Sequence, residues 1–216
     1  MTDPRYVAQG SAEWYSARVG KATASRMGDI MGRLIKPRAD NPNGYTQSYF
    51  KYQRELLIER LTGLPAQHFV SAAMEWGADA EEMAAQEYDR RNKVFTDQCG
   101  FFEHPTIPGT GASPDRLVGE DGLVEIKDPT TGTHIETLLD GTYNDDYRYQ
   151  MVWECECSGR AWADFVSFDP RLPENLRYYQ ERFVPPPELL EDMRAKVKIF
   201  LAELDAMEAK VRAYES

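Results

Sequence analysis

The chain has 216 residues and a formal net charge of −11, with 36 acidic against 25 basic side chains, a balance that argues against general nucleic-acid binding through a broadly basic face. Its three cysteines are too few for the four ligands of an iron–sulfur cluster, and an odd, sparse set fits a reducing compartment, so a cytoplasmic setting is expected. No apolar stretch reaches bilayer-spanning length, the N-terminal residues lack a signal peptide's apolar region, and no linker-like composition break divides the sequence, so one domain over residues 1–216 is expected.

Apolar periodicity and its punctuation predict helices over residues 11–19, 24–32, 46–62 and 71–91, the second capped by Thr23 and the third ending at Gly63. Met74, Ala78, Met83, Ala84 and Tyr88 give the fourth a buried stripe among many acids. Strands are predicted over 94–103, 110–118 and 123–128, followed by a helix over 145–157 that stops at Ser158-Gly159. Two further strands, 161–168 and 176–184, precede a long helix from Pro187 to Tyr214. In that helix Leu189, Leu190, Met193, Val197, Phe200, Leu201, Leu204 and Met207 recur at three- and four-residue steps, an apolar face that needs either the chain's own sheet or a neighbouring subunit. The order of elements is that of an α/β protein with a mixed β-sheet flanked by helices.

The most informative segment is Ser113 to Lys127. Apolar residues Leu117, Val118, Leu123, Val124 and Ile126 flank the turn-forming run Gly119-Glu120-Asp121-Gly122, a β-hairpin pattern. Folding it back sets Asp115 beside Glu125 to within about one residue of register, and opposed residues have Cβ atoms roughly 5 Å apart. Glu125 and Lys127, two apart on a strand, share a face. Two carboxylates suffice for Mg²⁺, which keeps several waters, and such an ion promotes phosphodiester hydrolysis. Lys127 would hold or deprotonate the attacking water, with its pKa lowered by burial or by the metal. The plainer alternative is an amphipathic strand with a solvated Glu125 and Lys127 stripe and Asp115 as a turn residue after Pro114. Cys155 and Cys157 would diverge around their helix as reduced core or boundary thiols, and His68, His104 and His134 show no metal-ligand spacing.

A Pro-Asp strand followed by an acid-x-Lys strand resembles the PD-(D/E)xK nuclease superfamily. More specifically, the chain resembles the bacteriophage lambda exonuclease family, the YqaJ-like viral recombinases. The likeness includes Trp14 to Arg18, Thr23-Ala24-Ser25, Lys36-Pro37-Arg38, Ser48-Tyr49-Phe50, Trp76-Gly77 with Glu81, Tyr147 to Gln150, and Phe168-Asp169-Pro170-Arg171. It implies a restriction-endonuclease-like fold and a processive, Mg²⁺-dependent exonuclease that digests one strand of linear duplex DNA 5′ to 3′, leaving 3′ tails for recombination. It further implies two ions during catalysis with Mn²⁺ as a substitute, a ring-shaped trimer around the DNA, a single-strand annealing protein as partner, and phage or prophage origin.

By the same resemblance Asp115, Glu125 and the Ile126 carbonyl hold Mg²⁺, Lys127 holds the nucleophilic water, Glu81 positions a water or a second metal, and Gln150 completes the site. Arg18, Ser25 and Ser113 match a pocket for the DNA 5′-phosphate, a chemically sensible clamp of one planar guanidinium and two hydroxyls. Trp14, Arg38 and Met74 match positions that touch terminal bases or the duplex; Tyr147, on the helical face of Gln150, joins that set. The chain departs from the family in the run Asp128 to His134, which removes a phosphate contact and adds the charge of Asp128 near the metal. Basic residues group at Arg18, Lys21 and Arg26, at Lys36 and Arg38, and at Lys51 and Arg54, so an acidic exterior and a mildly basic bore are expected. Two alternatives stay open: an endonuclease or resolvase of the same fold, which would cut circular DNA, and a noncatalytic DNA-end clamp, against which the intact Asp115, Glu125 and Lys127 argue.

Overall fold

A computed structural model of the protein describes residues 3–65 and 72–214, with the side chains of residues 72–79 outside the description. The expected helices form as α1 (Ala12–Arg18), α2 (Met27–Met31, preceded by a 3₁₀ turn over Ala24–Arg26), α3 (Gln47–Thr62) and α4 (Ala72–Asn92). Ser11 and Thr46 cap α1 and α3 by accepting backbone N–H bonds from Trp14 and Tyr49, and α3 stops at Gly63, whose left-handed φ of 68° suits a residue without Cβ.

The strands are shorter than predicted. They are β1 (Ala22–Thr23), β2 (Thr96–Asp97), β3 (Phe102–Glu103), β4 (Thr110–Ala112), β5 (Arg116–Val118), β6 (Gly122–Lys127), β7 (Trp162–Phe168) and β8 (Tyr178–Phe183). They form a mixed five-stranded sheet in the order β2-β5-β6-β7-β8 and a three-stranded sheet in the order β1-β4-β3. The expected strands 94–103 and 110–118 are each split between the two sheets. In the second case the break is Ser113-Pro114-Asp115, where a residue without an N–H cannot continue the ladder. β6 lies at the centre, antiparallel to β5 and parallel to β7, with Arg116 opposite Val124 and Leu117 opposite Leu123. Extending that register by one residue sets Asp115 opposite Glu125, as the hairpin pattern predicts.

The β6–β7 crossover carries a helix that the sequence reading did not anticipate, α5 (Thr131–Asp140), before α6 (Asp145–Ser158). Thr130 caps α5 through the N–H of Thr133, and Gly141 ends it with a φ of 63°. His134 fastens it to the sheet, with ring nitrogens 2.7 Å from Ser167 Oγ and 2.8 Å from the Leu176 carbonyl. The last helix, α7 (Pro187–Arg212), buries Met193, Val197, Phe200, Leu201 and Leu204 against Tyr49, Tyr52 and Leu56 of α3, Met27 and Ile30 of α2, and Trp153 of α6. Its apolar face is therefore covered by the chain's own helices rather than by the sheet. Cys155 packs in the cluster between α6 and the sheet and Cys157 in the helical cluster, both as free thiols.

Phe200 is fully buried where α7 meets α3, in edge contact with Tyr49 at 5.1 Å between ring centroids. Phe200→Ala should cost about 3–5 kcal/mol in a urea titration; a loss under about 1 kcal/mol would show that α7 is not an integral layer.

Candidate active site

The alternation of β6 sorts its side chains. Val124 and Ile126 face Ala84, Ala85 and Tyr88 of α4, whereas Leu123 faces Met151 and Cys155 of α6. Glu125 and Lys127 share the Leu123 face by the two-residue period, which directs them toward α6. There Gln150 Nε2 donates to Glu125 Oε1 at 2.5 Å and to Glu154 Oε1 at 2.8 Å. Lys127 Nζ pairs with the same Glu125 oxygen and lies 5.3 Å from the centre of the Tyr147 ring, which stacks in turn on Phe165. Tyr147 is thus a wall for the lysine.

Asp115 enters from the break between the sheets. Its Oδ2 accepts the Ile126 N–H at 2.8 Å, which locks the crossing to β6. The preceding Pro114 carbonyl is held by Gln9 Nε2 at 2.8 Å and by the Cys99 thiol at 3.1 Å. Ser113 takes bonds from Trp14 Nε1 at 3.0 Å and Arg18 Nη1 at 3.1 Å, and the Arg18 guanidinium lies 4.1 Å from the Trp14 ring centroid. Among the described residues Arg18 makes no ion pair. Asp115, Glu125, Lys127, Gln150, Arg18, Ser25, Ser113 and Trp14 line one cavity of about 180 Å³, so seven of the eight residues that the resemblance assigns to the catalytic or 5′-phosphate set, and one assigned to DNA, meet there.

Two expected residues fall elsewhere. Glu81 bonds to Arg116 Nη1 at 3.1 Å and lines a separate hollow of about 470 Å³, which it shares with Asp115 and Gln9 but not with Glu125 or Gln150. Arg38 is exposed in the loop between α2 and α3, 3.5 Å from Asp40. The side chain of Met74 lies outside the described residues. The residue that sequence reasoning missed is Glu154, fully buried and lining the same cavity. Its signal is the four-residue step from Gln150 along α6, obscured because that helix is buried on nearly all sides.

The cluster is electrically unbalanced. Burial, and then the charge of Glu125, push Asp115 well above the usual carboxylate range against the opposing pull of Lys127. Glu154 is raised for the same two reasons and also by Asp115. Burial disfavours the Lys127 ammonium, yet Glu125 and Asp115 outweigh it and raise its pKa above the ordinary lysine value. The lowering expected from burial is thus outweighed by the two acids, which favour the ammonium form. Glu125 Oε2 and Glu154 Oε2 are buried without a hydrogen-bond partner, which is costly unless another group fills the gap. Free carboxylate oxygens make a hard donor set that fits Mg²⁺ and does not suit a soft metal. No group of three or more His, Cys, Asp or Glu side chains forms a closed metal cage among the described residues, and Mg²⁺ does not require one.

Beyond Lys127, the Phe168-Asp169-Pro170-Arg171 block acts as an anchor. Asp169, buried, accepts from Thr131 Oγ1 at 2.6 Å and from Arg171 Nε at 2.6 Å, and Arg171 Nη2 reaches the Pro129 carbonyl at 3.1 Å. Asp128 is held at about 7 by burial and by the nearby charge of Glu81.

Two carboxylates and a lysine at the hinge of a central hairpin, in a mixed sheet flanked by helices, define the restriction-endonuclease-like class of fold. The chain belongs to the YqaJ-like viral recombinase family, whose domain matches residues 13–161. It is similar to the alkaline exonuclease LHK-Exo of Laribacter hongkongensis, with a TM-score of 0.84 and 39% identity over 94% of this chain and 96% of that one. The same enzyme in complex with dAMP matches at 40% identity with the same coverage and TM-score. A phage-related exonuclease from Haemophilus somnus 129PT shares the fold at 17% identity, with a TM-score of 0.67 over 88% of this chain and 96% of that one. No curated protein sequence matches. Among the described residues no helix is long and apolar enough to cross a membrane.

Because Asp128 binds its proton more tightly folded than unfolded, its opposition to folding is absent below the ordinary value of 3.8 and complete above about 7. Without divalent cations, Asp128→Asn should therefore melt higher than the native sequence at pH 8 and equally at pH 4; a gap of the same size at both would remove Asp128 as its source.

Proposed function

We propose that this protein is a Mg²⁺-dependent 5′-to-3′ exonuclease acting on linear duplex DNA with a 5′-phosphate. The observation that carries this reading is the placement of Arg18 and Ser113 in one small cavity with Asp115, Glu125 and Lys127. A phosphate-binding group beside a hydrolytic centre selects a strand end, where an endonuclease needs an open groove on both sides. The alkaline exonuclease to which the chain is similar, and its complex with dAMP, support the same class of reaction.

In this mechanism Arg18, with the Ser113 and Ser25 hydroxyls, holds the terminal phosphate through charge-assisted bonds, and Trp14 stacked on the guanidinium fixes its plane. Asp115, Glu125 and the Ile126 carbonyl would hold Mg²⁺. The ion, when bound, neutralises the phosphoryl oxygens and lowers the pKa of a coordinated water. Lys127, as an ammonium, orients the attacking water, and Gln150 keeps Glu125 in place. Hydrolysis breaks the bond between phosphorus and the 3′-oxygen of the end nucleotide. That oxygen leaves as a hydroxyl and the remaining strand acquires a new 5′-phosphate. Each cut therefore regenerates the ligand of the Arg18 pocket, which favours repeated removal. A ring-shaped trimer on the DNA, a single-strand annealing partner and a bacterial host cytoplasm belong to this reading on the strength of the family resemblance.

The test is digestion of a linear duplex bearing one 5′-phosphate and a different label on each strand, with closed circular DNA as control. Mg²⁺-dependent loss from the phosphorylated strand alone is expected; cutting of the circle would establish an endonuclease, and no digestion a DNA-end clamp. Arg18→Ala should erase the preference for 5′-phosphate over 5′-hydroxyl ends, whereas equal loss on both would make Arg18 structural. Lys127→Ala should lower turnover by about 10²- to 10⁴-fold with DNA-end binding retained.

A further inference from the structure

Glu154 is a buried acid that the mechanism above does not use. It is fully inaccessible to solvent and lines the same cavity as Asp115, Glu125 and Lys127; its Oε1 accepts from Gln150, its carboxyl stands within hydrogen-bonding reach of Glu125, and no donor reaches its Oε2. Glu125 is arranged alike: Oε1 receives Lys127 and Gln150, and Oε2 has no partner. The Gln150 amide thus ties one oxygen of each acid together and leaves the other oxygen of each free. Two neighbouring carboxylates in a low-dielectric site repel each other, and a neutral or apolar side chain at position 154 would avoid that penalty. An arrangement that keeps both acids, with unsatisfied oxygens beside a polar cavity, matches the ligand demand of a hard divalent cation. Glu81, which the resemblance places at a second metal or water, is committed to Arg116 and lies in the other hollow.

We propose that Glu154 and Glu125 together hold a divalent cation, additional to the one at Asp115, and that Glu154 takes the place assigned by resemblance to Glu81. The proposal rests on the nuclease reading of the same cavity. Glu125 then bridges two cation positions, and Gln150 sets the spacing between the two acids.

The experiment is calorimetric titration of the full-length, DNA-free protein with Mn²⁺, alongside melting with and without Mn²⁺, for the native sequence and for Glu154→Gln, Glu81→Gln and Asp115→Asn. Glu154→Gln should melt no lower than the native protein without metal, yet weaken Mn²⁺ binding by at least about tenfold, with Glu81→Gln within about twofold of native. Native Mn²⁺ affinity and stoichiometry in Glu154→Gln, or the loss appearing in Glu81→Gln instead, would overturn the assignment of Glu154 while leaving the nuclease reading intact. Absence of Mn²⁺ binding by the native protein, or no effect of Asp115→Asn, would overturn both. Should Glu154→Gln fail to fold, Glu154→Leu, apolar and of similar volume, is read by the same criteria.

Discussion

The centre depends on acids that the fold buries close together, where burial and mutual repulsion raise Asp115 and Glu154 well above the usual carboxylate range. Asp115, Glu125 and Glu154 face one ammonium, Lys127, in a cavity where little solvent screens them. Such a cluster survives only if the surrounding structure prevents the acids from moving apart. β6 supplies that restraint because β7 pairs with it from Gly122 to Lys127 and β5 from Gly122 to Val124, and α6 closes over the cluster through Gln150. The apolar contacts of Val124 and Ile126 with α4, and of Leu123 with α6, anchor the strand whose intervening residues carry the charge. Stability lost at the centre is offset by ordinary burial one residue away.

A single backbone event positions both halves of the site. At Ser113-Pro114-Asp115 the chain leaves the three-stranded sheet and joins the five-stranded one, and the missing proline N–H makes the departure obligatory. Gln9 and Cys99 grip the Pro114 carbonyl, so that Ser113 is presented to Arg18 and Trp14 while Asp115 turns to the N–H of Ile126. The spacing between Ser113 and Asp115 is thereby fixed by two peptide units. On the proposed reading, a loop of independent mobility in that position would blur the distance on which end selection depends.

This geometry explains what was legible in the sequence. The hairpin was readable to within about one residue of register from its period of two and its Gly-bounded turn, and the observed pairing is the one that buries Val124 and Ile126. The long helices were readable from their caps and apolar steps. The strand breaks were harder, because β4 and β5 are only three residues each and only Pro114 marks their separation. α5 escaped notice because Thr131, Gly132 and Thr133 are poor helix formers; its stability comes from the Thr130 cap and from His134 bonded across to the sheet. Glu154 was hidden for a different reason. α6 is buried on nearly all sides, so an acid within it has no apolar stripe against which to stand out.

Charge distribution is where the sequence is least informative about function. The basic residues that group along it are mostly spent locally: Lys21 pairs with Glu103, Arg26 with Asp29 and Glu55, Arg38 with Asp40, and Lys51 with Glu55. Arg18 differs, its guanidinium resting on Trp14 and Ser113 rather than on a carboxylate. On the reading proposed above, an acidic chain would meet a DNA end through this cation in a small cavity, without a broad positive surface. Because the field of such a cation is screened within about 8 Å at physiological salt, attraction is confined to the phosphate it touches. On that reading the body of the duplex would be loosely held, as repeated stepping along a strand requires.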